Sequence, residues 1–468
     1  MTLAQRRVLA VMCLALATVV SAVSSLNVAL PDLARDTGAS TSELQWIVDA
    51  YALVFAGLLL PAGAIGDRLG RRPVLVAGLA AFGAGAVAAM LVSDPTALIA
   101  IRAFMGLGAA LIMPTTLSII TATFPPDHRD RAVGAWAGVA GGSALLGLLV
   151  SGGLLEVFSW SSVFGLNVVL AVLALAGTLR FVPAVASAER PALDPAGAAL
   201  SAVGLGALVW AFIEGPQRGW SDGLVAGGFV AAVVLLLGFV AWELRRREPM
   251  LDPRLFALRG FSAGSASIFV QFFAAFGMIF VLLQYLQLVL GYSPLQAGAA
   301  LAPIALVMIA VAPRVPRLVE RVGVRPVGPT GLALMAAGFV VASTMDTGSS
   351  YWHLLAAGLL FGLGMALATA PATSAIVASL PAAKQGVASA VNDTAREVGG
   401  ALGIAVLGSI LADHVQIGPA MDPQAFVDGL SASLLAGAAV LLAGALFVAL
   451  RVPGRAAVRR SSATGAAT

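Results

Sequence analysis

Charge is what this sequence has least of. Of its 468 residues only 11% are Asp, Glu, Lys or Arg, against 59% hydrophobic, and the mean hydropathy is +0.96. That balance excludes a soluble globular domain and leaves an integral membrane protein. Lysine occurs once, at Lys384, and glutamine follows it, so there is no Walker A phosphate loop and ATP hydrolysis on this chain is excluded. Cys13 is the sole cysteine, which excludes an intrachain disulfide. His128, His353 and His414 fall in or beside loops without metal-ligand spacing. The net charge of +4 is spread over short clusters between apolar runs rather than along one stripe, which argues against a nucleic-acid partner.

Apolar runs of about 20 residues, enough for one helical crossing, recur along the whole chain, and fourteen are expected. The first follows Arg6 and Arg7 but is too long for a signal peptide's apolar region, so it reads as a retained span. Basic residues test this count. With both termini cytoplasmic, 23 of the 27 fall in cytoplasmic segments, and only Arg35 and Arg218 fall outside. The remaining two, Arg102 and Arg396, lie within spans. The alternation supports both the span number and the orientation.

Residues 67–74 read DRLGRRPV and residues 320–327 read ERVGVRPV, five of eight identical at an offset of 253. The repeated loop joins spans 2 and 3, then 10 and 11. A shift of eight spans means six per repeat with two inserted. The expected organisation is therefore 1–190 as a six-helix half, 191–245 as two inserted helices, 246–452 as a second half and 453–468 as a disordered cytoplasmic tail. Two related halves around a midplane site are the layout of a rocking transporter.

In GAIGDRLGRRPV, Gly63, Gly66 and Gly70 permit turning and close approach, while Asp67 can pair with arginines at helix ends. The string resembles the signature loop of the major facilitator superfamily, and RAFMGLGAA (102–110) resembles that family's span 4 motif. More narrowly, LNVALPDL, LQWIVDAYALVFAGLLLPAG, IEGPQRGW, YLQLVLGYSPLQAG and REVGGALGIAVLG make the chain similar, over nearly its full length, to the fourteen-span drug:proton antiporters of the QacA and EmrB type. The resemblance implies an all-α major facilitator fold arranged 6 + 2 + 6. It also implies a cytoplasmic latch at Gly63, Asp67, Arg68, Gly70, Arg71 and Arg72, and acids at Asp49, Asp393 and Glu397. Two departures stand out: the span 1 acid is replaced by Ala22, and the proline of the span 5 antiporter signature is absent from Gly147–Gly153. Span 5 keeps Gly134, Gly138 and Gly142 at four-residue spacing, which suggests close helix packing.

An ionised side chain at a span's centre costs roughly 2.5–3.5 kcal/mol, so each one implies a function. Asp49, Arg102, Asp393, Arg396 and Glu397 qualify. Asp393 and Glu397, at i and i+4, share one helix face, with Arg396 beside them. Two carboxylates so placed in a low-dielectric site cannot both ionise cheaply, which suits a proton carrier. Glu397 should lie about 15 Å into its span, near the midplane. A locked ion pair holding the helix to a neighbour is the competing reading. Asp49 and Arg102 stand at equal depth near the outer ends of spans 2 and 4, where they can pair and where Arg102 would modulate Asp49.

GFSAG (260–264) has the letters of a nucleophile elbow but opens a span, with Ser262 as an expected helix cap, so the chain is not an enzyme. The expectation is a proton-coupled exporter of small hydrophobic or amphiphilic compounds in the plasma membrane, a monomer without cofactors, driven by a proton gradient and working by alternating access. Asn27, Trp46, Trp136, Phe272, Phe276 and Gln284 are candidates to line its cavity. An exporter of one endogenous metabolite or lipid, and a transporter-shaped sensor without flux, are the rival readings.

Overall fold

A computed structural model describes residues 1–183, 194–380, 385–415 and 421–452. The described residues form helices joined by short connections: α1 (Leu3–Thr37), α2 (Thr41–Leu69), α3 (Arg71–Met90), α4 (Pro95–Thr123), α5 (Pro126–Leu155), α6 (Ser162–Phe181), α7 (Pro195–Arg218) and α8 (Gly223–Arg245) lead into α9 (Arg259–Gln284). Then follow α10 (Pro294–Ala300), α11 (Ala302–Val311), α12 (Val315–Val322), α13 (Val324–Ala342), α14 (Tyr351–Ala378), α15 (Gln385–His414) and α16 (Pro423–Arg451). Thirteen stretches among the described residues are helices long and apolar enough to cross a membrane. In α5 the described apolar part is Gly142–Leu155. This is a multi-pass membrane protein. The apolar side chains left exposed on α8, such as Leu224, Val230 and Leu237, suit a hydrocarbon surround. The expected tail, 453–468, and the expected boundary near 190 lie outside the described residues.

Local chemistry sets the helix ends. Thr2 with Gln5, Ser40 with Glu43 and Ser293 with Gln296 form reciprocal capping boxes, and Asp94, Asp222 and Asp422 cap α4, α8 and α16. One of the thirteen, Pro294–Val322, is not a single helix but is broken into α10, α11 and α12. Pro303, Pro313 and Pro316 each remove a backbone donor and crowd the preceding turn. Ser262 is not a cap: Leu258 occupies that place, and Ser262 Oγ donates to Arg259 O inside the first turn.

The sequence repeat has a structural counterpart. Gly70 and Gly323 are one-residue joints between successive helices, with φ of +97° and +94° in the left-handed region that favours glycine. Eight residues on, Gly78 and Gly331 let α3 meet α4 and α13 meet α14, where an added Cβ would lie 2.9 Å from Gly108 O and 2.6 Å from Gly364 O.

Helices α1–α6 pack among themselves, chiefly α2 on α4, α3 on α4 and α1 on α5, and α9–α16 do likewise through α9 on α15 and α13 on α14. Between the groups, α2 lies on α15 and α5 on α10, while α7 sits against both α2 and α15. Among the described residues, hydrogen bonds across this boundary include a group near one end of the bundle: Gln45 Nε2 to Ile404 O and Ala405 O, Gln287 Nε2 to Val28 O, and Leu295 N to Glu156 Oε1.

The α5 glycine row corrects an expectation. Among the described residues nothing lies within 4 Å of a Cβ built on Gly134, Gly138 or Gly142, and the close approaches of α5 come later, at Gly147 against Ser21 and Gly152 against Leu295. Gly138→Ala should therefore leave the melting temperature of the purified protein unchanged or raise it, within about 0.5 kcal/mol of the native chain. A clear drop in that melting curve would place a helix against the row after all.

Candidate substrate and proton site

Three glycines bring α15 against α9. A Cβ on Gly399 would meet Phe269 O at 2.4 Å, one on Gly400 would meet the Phe276 ring, and one on Gly403 would meet Phe273 O at 2.0 Å. With no side chains between them, the two helices approach closely enough for Arg396 and Glu397 to share a wall with Phe272 and Phe276. That wall closes one side of a central cavity of about 390 Å³. Opposite stand Val23 of α1, Phe55 of α2, Met113 of α4 and Leu148 of α5, and α11 and α14 add Met308, Met365 and Thr369.

Arg396 and Glu397 are the only charged residues among those described as lining this space. Arg396 Nε donates to Glu397 Oε1 at 3.2 Å, its Nη2 donates to Met113 Sδ at 3.5 Å, and the guanidinium lies 5.6 Å from the centre of the Phe272 ring. Arg396 thus pairs with its chain neighbour rather than with Asp393. Asp393 is half-buried behind the lining, where its Oδ1 accepts from Asn392 Nδ2 at 3.5 Å, and Asn392 Oδ1 in turn accepts from Thr373 Oγ1 on α14.

Asp49 and Arg102 are both fully buried, yet no ion pair joins them. Arg102 Nε donates to Ile47 O at 3.0 Å and its guanidinium stacks 4.3 Å from the Tyr51 ring centre. Asp49 lies one turn along α2 from Gln45, which reaches α15, and three residues from Trp46, which packs with Val209 and Ile213 of α7. Neither Asp49 oxygen has a hydrogen-bond partner among the described residues. It occupies the α2–α7–α15 junction, apart from the cavity. In a double-mutant cycle of Asp49→Asn with Arg102→Gln, transport losses should add within about 0.5 kcal/mol. A coupling energy above about 1 kcal/mol would reinstate the pair.

At the repeated loop, Arg71 Nη1 donates to Ser118 O and Arg72 Nη2 to Leu179 O, placing cations on the C-terminal turns of α4 and α6. A Cβ built on Gly63 would meet Pro114 only at ordinary contact distance, 3.8 Å. The side chain of Asp67 lies outside the described residues, and the expected latch partner of Asp67 with it.

The profile of the Major Facilitator Superfamily matches residues 12–404 and 264–467. The chain belongs to the Major Facilitator Superfamily. Methyl viologen resistance protein SmvA of Salmonella typhimurium is 36% identical over 388 residues, 83% of this chain and 78% of that protein. The tetracenomycin C resistance and export protein of Streptomyces glaucescens is 35% identical over 391 residues, 83% of this chain and 72% of the other. A crystal structure of a peptide transporter POT in complex with sulfate superposes with a TM-score of 0.68, covering 96% of each chain at 19% identity, a likeness of fold.

Within this superfamily fold the expected cavity residues divide. Phe272 and Phe276 line the space. Trp46 packs instead toward α7, and Trp136 is buried with its Nε1 donating to Thr116 Oγ1 at 3.1 Å. Asn27 and Gln284 are buried and donate back to Val23 O and Phe280 O of their own helices. The methionines Met113, Met308 and Met365 escaped sequence reasoning because an apolar residue in a span looks the same whether it faces lipid, a neighbour or a cavity. Thr369 had a signal: its Oγ1 donates to the fully buried Gln271 at 2.7 Å, and Gln271 is itself an amide in an apolar run.

Proposed function

We propose that this transporter exports small hydrophobic or amphiphilic compounds in exchange for protons, by alternating access between two six-helix halves. The observation that carries the reading is the cavity between the two helix groups, apolar and methionine-rich apart from one ion pair. Flexible thioethers and aromatic faces adapt to differing shapes, which suits a broad substrate range. The relatives named for methyl viologen resistance and for tetracenomycin C resistance and export support the direction of transport. In this reading α5 is the fourteenth span, α7 and α8 are the inserted pair of a 6 + 2 + 6 arrangement, and both termini face the cytoplasm of a plasma-membrane protein. The end held by the Gln45, Gln287 and Glu156 contacts then faces outward, which favours a conformation that loads substrate from inside. Glu397 carries the proton, Asp393 relays it, Asp49 is an accessory acid, and the Asp67–Arg72 loop latches the cytoplasmic side.

The test is proton movement in proteoliposomes holding an imposed pH gradient. Adding lipophilic compounds to the purified protein should dissipate that gradient in a substrate-dependent way. A gradient indifferent to every compound in a chemically varied panel would overturn the reading.

A further inference from the structure

The cavity's charge arrangement bears on which substrates it accepts, an inference that rests on the export reading above. An exposed carboxylate is the strongest anchor for a lipophilic cation, and three sources of one are lacking: position 22 is alanine, Asp49 lies at the α2–α7–α15 junction, and Asp393 is behind the lining. That leaves Glu397, whose side chain is 5% exposed against 18% for Arg396. Both members of the pair line the space, and the cation is the more exposed of the two.

Arg396 also has capacity to spare. A guanidinium carries five N–H donors, and here two are engaged, one with Glu397 and one with a thioether, a weak acceptor. The others have no hydrogen-bond partner among the described residues. The Phe272 ring centre lies 5.6 Å from the guanidinium, so the open donors sit beside an aromatic wall that also holds Phe276. An aromatic body against Phe272 and Phe276 with an oxygen on Arg396 satisfies both features at once.

We infer that the cavity selects amphiphiles presenting a hydrogen-bond-accepting oxygen, neutral or anionic, such as a carbonyl, phenolate or carboxylate, and disfavours permanent cations. Arg396 is the group that contacts that oxygen. Substrate and proton then occupy different side chains of the pair and exclude one another through the conformational cycle rather than by competing for one carboxylate.

Three probes sharing a triphenyl body test this: triphenylacetate, triphenylphosphine oxide and tetraphenylphosphonium, titrated calorimetrically into the purified full-length protein at pH 7 against protein-free micelles. The acetate and the oxide should each bind about ten-fold or more tightly than the phosphonium. Arg396→Gln should weaken triphenylacetate by about ten-fold or more, while Arg396→Lys, keeping the charge, retains the ranking. Equal or tighter binding of the phosphonium by the native chain overturns the inference and leaves export standing, and needs no variant to fold. Unchanged triphenylacetate affinity in a well-folded Arg396→Gln protein overturns it too. Oxygen-selective binding without substrate-dependent proton movement defeats the export reading instead, and failure of all three probes to bind defeats both.

Discussion

Replacing Glu397 with glutamine should lower substrate-dependent proton movement by on the order of a hundred-fold, the usual scale for losing a proton-transferring group. The amide keeps an oxygen where Arg396 Nε donates across 3.2 Å, so the local geometry has little reason to collapse. It removes the one titratable carboxylate among the described residues lining the cavity. Binding of triphenylphosphine oxide, which depends on Arg396, should persist within a few-fold, and that separates a lost proton carrier from a lost fold. Asp393→Asn should have a smaller effect, because its carboxylate stands behind the lining beside Asn392. Unchanged proton movement in Glu397→Gln would leave the ion pair as a structural brace.

The second large effect is on stability. Gly403→Val should abolish the monodisperse peak of the detergent-purified protein, or destabilise it by about 3 kcal/mol or more. A Cβ there would stand 2.0 Å from Phe273 O, a backbone atom that no rotamer change can move aside. Only separation of α9 from α15 relieves the clash. Gly153→Ala is the matched control, since nothing among the described residues lies within 4 Å of its added Cβ. A Gly403→Val protein with native elution and melting behaviour would show that the two helices part easily.

Most of the architecture was legible because a bilayer imposes few choices. Span length, arginine placement and the 67–74 and 320–327 repeat each constrain the fold, and Gly70 and Gly323 adopt the same left-handed joint. The site was legible in part. Intramembrane charge singled out Arg396 and Glu397, whereas helix spacing set Arg396 beside Asp393 without revealing that Glu397 holds it. Tryptophans misled the reading. Trp46 and Trp136 are large and amphipathic, qualities that serve helix packing as well as ligand binding, and a sequence gives the face of a helix but not its neighbour. The α5 glycines misled for the same reason: four-residue spacing permits close packing without supplying a partner, and among the described residues none lies against them.

The glycine contacts along α15 have a consequence for movement. Backbone against backbone leaves no slack for sliding, so Phe272, Phe276, Arg396 and Glu397 must travel as one rigid plate whenever the cavity changes the side to which it opens. What stretches is the span from that plate to the opposite helices, and at the cavity one stitch is a 3.5 Å contact between a guanidinium and the sulfur of Met113. Sulfur is a weak, deformable acceptor on a limber side chain. A joint of that kind can open and reclose at little energetic cost, where a carboxylate in the same place would have locked the plate down.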